Sequence, residues 1–321
     1  MSREKTKTIT SIGGQALIEG IMMRGPQKTE VAVRLPDGSV STQAIESRDL
    51  RGRSAVWRLP LLRGIAGFVD SLTLGYRALS LSARKAGLDE EEEESKFDRW
   101  IRQKFGRRAM DAVVTAGTVL GVALGVGLFF LLPTWLFNLL QGAAGPGVAG
   151  WRAPLEGLMR FALFLGYLAL CASLPDMKRV FEYHGAEHKT IFCYENNEAL
   201  TVENVKRHQR FHPRCGTSFL VLMLLIGICI GFFIPFSNPF LRTAVKILCI
   251  PLAVGIGYEL IRYCGRNDNA LTRVISAPGL WMQRLTTREP DDGMMEVAIA
   301  ALRAVIPENG EDRIELEGGE K

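Results

Sequence analysis

The four histidines of this chain fall into two pairs of equal spacing, His184 with His188 and His208 with His212. Residues four apart share one face of a helix, with Cβ atoms about 5–6 Å apart, so two such imidazoles can hold one metal ion. Cys215 follows the second pair and can add a thiolate. The pattern therefore predicts a divalent metal site built from these five side chains, with zinc as the first candidate.

Glu187 directly precedes His188, as in the H-x-x-E-H pattern of inverted zinc hydrolases. Three protein ligands leave one position for water, and a neighbouring carboxylate can accept its proton. We interpret Glu187 as the catalytic general base of a metal-dependent membrane hydrolase. The alternative is a non-enzymatic scaffold in which four protein ligands close a structural zinc site. A metal transporter is less favoured, because the histidines lie outside the apolar segments.

Other charged residues near the histidines have two interpretations. One interpretation of the basic residues is a site for a phosphate-bearing substrate or a lipid headgroup. The other, which is favoured, is the ordinary excess of basic residues in a cytoplasmic loop. The residues are Lys206, Arg207, Arg210 and Arg214. Arg214 would also lower the thiol pKa of Cys215, which makes a nucleophilic cysteine a further option below the ligand role. Weaker candidates for the site are the charged residues Glu19, Arg24, Glu195, Glu198, Glu203 and Glu259. The alternative role for Glu259 is a salt bridge with Arg262.

Two long stretches, 112–151 and 216–241, contain no Asp, Glu, Lys or Arg. Apolar runs of 18 or more residues indicate membrane spans. Four spans are predicted, with Glu156 and Arg160 expected to extend towards water near the start of the second. The predicted spans cover residues 113–136, 155–174, 218–234 and 241–262.

The distribution of basic residues predicts the orientation of these spans. Of the 39 Lys and Arg residues, only Arg152, Arg160, Arg242 and Lys246 lie in the two loops assigned to the far side and in the adjoining span ends. Cytoplasmic loops carry the excess of Lys and Arg, so both termini and the histidine-rich segment are predicted to be cytoplasmic. The chain is thus a multi-pass protein of the cell (inner) membrane with lipids as partners. Its net charge of +5 follows from this topology, and no nucleic-acid partner is expected.

The fold class predicted is mainly α, a polytopic membrane protein with about four transmembrane helices and a small α+β cytoplasmic region near the N-terminus. Residues 1–100 form that region, 101–263 the transmembrane domain with a cytoplasmic His-rich loop at 175–217, and 264–321 a cytoplasmic helical tail. The first region is predicted to hold a β-hairpin, because Val31, Val33 and Leu35 alternate with polar residues before a Pro-Asp-Gly-Ser turn.

An amphipathic helix is predicted over 60–83, with a polar stripe of Arg63, Asp70, Arg77 and Arg84. It either lies on the membrane surface or packs as an ordinary helix. The acidic run 89–94 is predicted to be a solvated linker, and the basic stretch 99–108 to face anionic headgroups.

Four phrases of the sequence together resemble the YqhQ-like family of uncharacterised bacterial membrane proteins. They are residues 14–26, 182–189 and 212–219, and 278–280 continued by 292–299. Members of that family have been described as predicted metal-dependent enzymes, so the resemblance implies a metal site at these histidines. It implies neither a substrate nor a reaction.

Overall fold

The computed structural model describes residues 8–46, 54–87, 107–265, 267 and 269–315. The acidic run 89–94 and most of the basic stretch 99–108 lie outside them. The chain divides into two compact units, here called unit 1 and unit 2, and each is considered by itself. Unit 1 comprises residues 1–87, 168–223 and 254–321, and unit 2 comprises 88–167 and 224–253.

The described residues are mainly helical with a small β region. The strands are β1 (Thr8–Thr10), β2 (Gly13–Leu17), β3 (Gly20–Arg24), β4 (Thr29–Arg34), β5 (Val40–Ala44) and β6 (Arg313–Glu315). The helices are α1 (Leu62–Lys85), α2 (Arg107–Val126), α3 (Leu132–Ala144), α4 (Arg152–Ser173), α5 (Pro175–Glu195), α6 (Val202–Arg207), α7 (Gly216–Gly231), α8 (Pro239–Leu248), α9 (Ile250–Cys264), α10 (Ala270–Thr286) and α11 (Asp292–Val305). A π-helical turn (Gly127–Leu131) joins α2 to α3, and 3-10 helices cover Ala55–Arg58 and Pro146–Trp151.

The core of unit 1 is an antiparallel sheet in the order β2-β3-β4-β5 with helices on both faces. Successive side chains of a strand point to opposite faces. Val31 and Val33 accordingly pack in one apolar cluster with Leu74 of α1, while Ala32 packs in another with residues of α5 and α11. The predicted hairpin is confirmed as β4 and β5, whose turn places Gly38 at φ +84°. In a second, two-stranded sheet, β1 pairs with β6.

The amphipathic helix predicted over 60–83 is confirmed as α1, but its polar stripe is wrong at one position. Asp70 is buried, with only 5% of its surface exposed. The face that α1 turns to the protein consists of small residues with two leucines, and Asp70 belongs to this face. The buried residues are Gly64, Ala66, Asp70, Leu74, Gly75, Ala78, Leu81 and Ser82.

Two helical segments of the described chain are long and apolar enough to cross a membrane, Thr115–Ala144 and Pro146–Ser173. A third is possible if α8 and α9, which meet at an angle of 44°, form one broken span. The segment predicted as the third span is α7, an apolar helix of only 16 residues. Membrane-spanning character is therefore borne out for two to three segments rather than four.

Within unit 2, Glu156 does not extend towards water as predicted but is 2% exposed. Its Oε2 accepts hydrogen bonds from Lys246 Nζ at 2.5 Å and from Arg242 Nε at 3.0 Å. Arg160 is also buried, and its Nε donates to the carbonyl of Phe129. The prediction fails because ionisable groups of apolar helices are stabilised more by pairing inside the bundle than by reaching its ends.

Candidate functional site

The first histidine pair lies in the middle of α5, so this part of the predicted loop is a helix. Pro175 occupies the first turn of α5, where its missing N–H costs nothing. Gly185 allows close packing, because a Cβ at this position would overlap the carbonyl oxygen of Arg288. Glycine weakens a helix interior, but here it lets α5 approach the segment that follows α10.

His184, His188 and Cys215 converge in unit 1, and one potential ligand atom of each lies within 4.8 Å of the others. The Nε2 atom of His184 is 3.1 Å from Cys215 Sγ. Each imidazole is held through its other nitrogen, with Nδ1 of His184 2.7 Å from the carbonyl oxygen of Thr286 and Nδ1 of His188 2.5 Å from that of Arg210. A carbonyl only accepts, so Nδ1 donates, and in the neutral ring Nε2 then carries the lone pair, as in protein metal sites.

Burial and neighbouring groups shift the pKa values of two side chains of this cluster. Burial lowers the pKa of His188. Burial alone would raise the pKa of Cys215, but His188 and Thr217 beside the sulfur bring it below its ordinary value. Cys215 also stands immediately before α7, where the helix dipole favours negative charge. A neutral imidazole and a thiolate are the ligand forms of these residues.

Glu187 is buried beside the cluster and contacts the strand β2. A Cβ on Gly14 would lie 2.9 Å from the Cγ, Cδ and Oε1 atoms of Glu187, so the carboxyl group packs directly on the glycine backbone. Burial raises the pKa of Glu187 to about 7, against the opposing influence of His184 and of the Gly14 N–H group. A carboxyl group with this pKa exchanges a proton readily near neutral pH.

His212 lies next to the cluster but outside the ligand set. Its ring centroid is 5.5 Å from that of His188, and its Nε2 atom is 3.8 Å from Glu195 Oε2. Gln283 of α10 fixes its backbone through two hydrogen bonds of 2.7 Å. Although burial alone would raise it, the pKa of Glu195 is lowered to about 2 by His212 and Arg214.

The structure does not bring His208 to this cluster. His208 ends α6 in an extended conformation, so the spacing of four to His212 runs through a loop and places the two on no common helical face. Its Nε2 atom is instead 3.3 Å from Glu198 Oε2, in a separate group that also includes Cys193.

The remaining acidic candidates and Arg24 contribute nothing to the ligand set. Glu19 binds Arg179 through both carboxylate oxygens, at 2.5 and 2.6 Å, and accepts from Tyr183, which fixes α5 one residue before His184. Glu259 pairs with Arg63 and not with Arg262. Glu203 is exposed, and Arg24 ends β3.

Most of the interleaved basic residues form ion pairs with carboxylates. Lys206 binds Asp292 at 2.8 Å, Arg210 binds Glu289 at 3.0 Å, and Arg214 binds Glu195. Arg207 is exposed. These pairs support the interpretation of the basic residues as part of a charge-paired surface rather than as a phosphate site.

A cavity of about 340 Å³ opens beside the cluster within unit 1. Its lining includes Glu187, His188, His212, Arg214 and Cys215. Sequence reasoning missed several residues that complete this site: Gly14, Tyr258, Arg262, Gln283 and the carbonyl of Thr286. Of these, only Gly14 was signalled by the sequence, as the first residue of the phrase 14–26.

Comparison with known proteins yields relatives without an assigned activity. A profile of the family "Protein of unknown function (DUF1385)" matches residues 59–308. The chain is 33% identical over 303 residues to the uncharacterized protein YqhQ of Bacillus subtilis (strain 168), and the alignment covers 94% of each chain. No solved structure matches.

Proposed function

Because the chain belongs to this DUF1385 family of proteins of unknown function, as its four phrases predicted, we propose a function from the site alone. The protein is a metal-dependent membrane hydrolase that acts at the cytoplasmic face, with His184, His188 and Cys215 as ligands of a divalent ion, zinc first. The observation that carries the proposal is the pair of Nδ1–carbonyl hydrogen bonds, which leave the Nε2 atom of each neutral imidazole as the potential ligand atom beside the thiol of Cys215.

The donor set fits zinc, which is bound by imidazole nitrogen and thiolate sulfur. A divalent ion bound there supplies Lewis-acid activation of water or substrate. Glu187 lines the adjoining cavity. It takes the proton from the attacking water and returns it to the leaving group.

The test separates an enzyme from a scaffold with a structural metal site. Glu187→Gln keeps the size of the side chain and removes the base, so a catalytic role predicts intact abundance and zinc content with a loss of function of about 10²–10⁴-fold. Glu203→Gln, at an exposed position of α6, is the matched control. The assay is complementation of a deletion strain, read with protein abundance and metal content. Full complementation by Glu187→Gln would leave the scaffold as the better function.

We further propose that the substrate is a phosphate-bearing molecule, including a lipid headgroup. Arg262 lines the same cavity as Glu187, and Gly216 at the start of α7 presents the positive end of a helix dipole to that space. Arg262→Gln is expected to lower function without changing the zinc content, whereas the exposed Arg207→Gln is expected to be neutral. Equal complementation by both variants would contradict this substrate class.

The proposed location is the inner membrane with four spans and both termini in the cytoplasm. The charge distribution supports this orientation, and placing both termini on one side needs an even number of crossings. The short α7 and the broken α8–α9 pair would then be the third and fourth spans. Reporter fusions at Gly145 and Asn238 should read extracytoplasmic, and those at Asn197 and Gly310 cytoplasmic. An extracytoplasmic reading at Asn197 would overturn the orientation.

A further inference from the structure

Two helices of unit 1 carry a stripe of large apolar side chains that is exposed. In α1 these are Val69, Leu72, Tyr76 and Leu79, which are 44%, 58%, 74% and 41% exposed. In α10, Leu271, Val274 and Trp281 are 57%, 70% and 52% exposed, with half-buried Pro278 in line. Both stripes have the spacing i, i+3, i+7, i+10, which is one continuous helical face.

The buried faces of the same helices contain few large apolar side chains, Leu74 and Leu81 in α1 and Met282 in α10. Their other buried residues include the polar Thr272, Gln283 and Thr286 of α10 and Asp70 and Ser82 of α1. On a helix at a water-exposed surface, most large apolar residues lie on the buried face. Contiguous exposed apolar surface of this kind indicates a further contact.

Both helices are tied to the end of a candidate membrane span. Leu61 and Gly64, at the start of α1, pack on Gly255 and Tyr258 of α9, and Arg63 pairs with Glu259. The helix α10 starts six residues after α9 ends, a distance of at most about 20 Å for an extended chain. The start of each helix therefore lies close to α9.

The charges of the two helices suit an anionic leaflet. α10 contains Arg273 and Arg284 and no acidic residue, and the only acidic residue of α1 is the buried Asp70. Basic residues beside an apolar stripe that includes Trp and Tyr are typical of helices that lie in the headgroup region.

We propose that α1 and α10 lie in the plane of the cytoplasmic leaflet, with their two apolar stripes in the acyl-chain boundary, as a membrane-docking surface separate from the spans.

The test is tryptophan fluorescence of the full chain in vesicles of phosphatidylcholine and phosphatidylglycerol, with or without bromine on the acyl chains near the headgroup. The other tryptophans (Trp57, Trp100, Trp135 and Trp151) are replaced by Phe, so that Trp281 reports α10; a second chain with Trp281→Phe and Tyr76→Trp reports α1. A third chain with Glu203→Trp as the only tryptophan is the control on an exposed polar helix face. Variants are compared only where abundance and zinc content match those of the parent.

Bromolipid is expected to quench Trp281 and the tryptophan at position 76, and aqueous iodide is expected to spare them. The control at position 203 should show the reverse. Quenching of the two stripe positions by iodide but not by bromine would overturn the proposal. Protection from both quenchers would also overturn it, and the particle mass would then show whether a second copy covers the stripes.

Discussion

The position of the Glu187 carboxylate can be tested by one added methyl group. Gly14 lies in β2, and neither Gly14 nor its neighbour Gly13 has a positive φ, so both backbones accept alanine. A Cβ at Gly14 would be 2.9 Å from three atoms of Glu187, whereas ordinary contact begins near 3.4 Å. A Cβ at Gly13 meets nothing within 4 Å. Adjacent glycines of one strand thus form a matched pair.

The expected effect of Gly14→Ala follows from that overlap. The carboxylate must shift by about 0.5 Å, the difference between the built and the ordinary contact distance. A misplacement of about 1 Å in a catalytic constellation costs about 10²-fold, so a loss of about tenfold is expected. The exchange of glycine for alanine itself stabilises a compatible position by about 0.4–1 kcal/mol through the unfolded chain. Stability and zinc content should therefore stay close to those of the parent.

The assay is complementation of a deletion strain by Gly14→Ala and Gly13→Ala at equal abundance, with zinc content measured on each purified protein. Gly13→Ala is expected to complement fully. The reasoning fails if Gly14→Ala also complements fully with its zinc retained, because the position of Glu187 would then not matter. It fails equally if Gly13→Ala lowers complementation as much as Gly14→Ala, since the loss would then come from a general disturbance of β2 and not from the position of Glu187.

Three further outcomes are expected. His184→Ala should lose tightly bound zinc while His208→Ala keeps it, measured by elemental analysis of purified protein, and full retention by His184→Ala would contradict the ligand set. Gly185→Ala should lower the thermal unfolding midpoint, because its Cβ meets the carbonyl of Arg288 and overpacking costs about 1–3 kcal/mol; an unchanged midpoint would refute the contact. The pKa of Glu195 is lowered from its ordinary value of 4.5 to about 2, so the ionised side chain contributes its full stabilisation above about pH 4.5. That contribution is lost as the pH falls towards 2. Glu195→Gln should therefore flatten the dependence of the unfolding midpoint on pH below about 4.5, and an identical acid profile would show that the ion pair is not stabilising.

The sequence correctly predicted that His184 and His188 share one helical face, because both residues lie in a single helix. His184, Glu187 and His188 need only α5 to be brought together, and Cys215 joins them at the start of the next apolar helix. The second pair has the same spacing but no helix, so periodicity carried no information about its geometry. Spacing alone does not show which of two identical patterns is helical when the turn signals between them are weak.

The supporting contacts could not be predicted because they join distant segments through backbone atoms. The carbonyls of Thr286 and Arg210 orient the two imidazoles, and any residue type could supply them. The exposure of the apolar stripes on α1 and α10 could not be predicted for a related reason. Apolar periodicity shows that a helix has a stripe but not whether protein or lipid covers it.

Three glycines from separate phrases show how the site is linked to the fold. Gly14 receives the carboxyl group of Glu187, Gly185 the carbonyl of Arg288, and Gly279 the side chain of Ser218, three residues after Cys215. Each removes a side chain where another segment must approach, so the cluster exists only after β2, α5, α7 and α10 have packed. A ligand set that the unfolded chain lacks couples ion binding to folding, since a ligand that binds only the native state stabilises it by RT ln(1 + [L]/Kd). Under the proposed function the ion therefore has two roles, and the variants at Glu187 and Gly14 separate them, because they change the chemistry at the cavity and leave all three ligands in place.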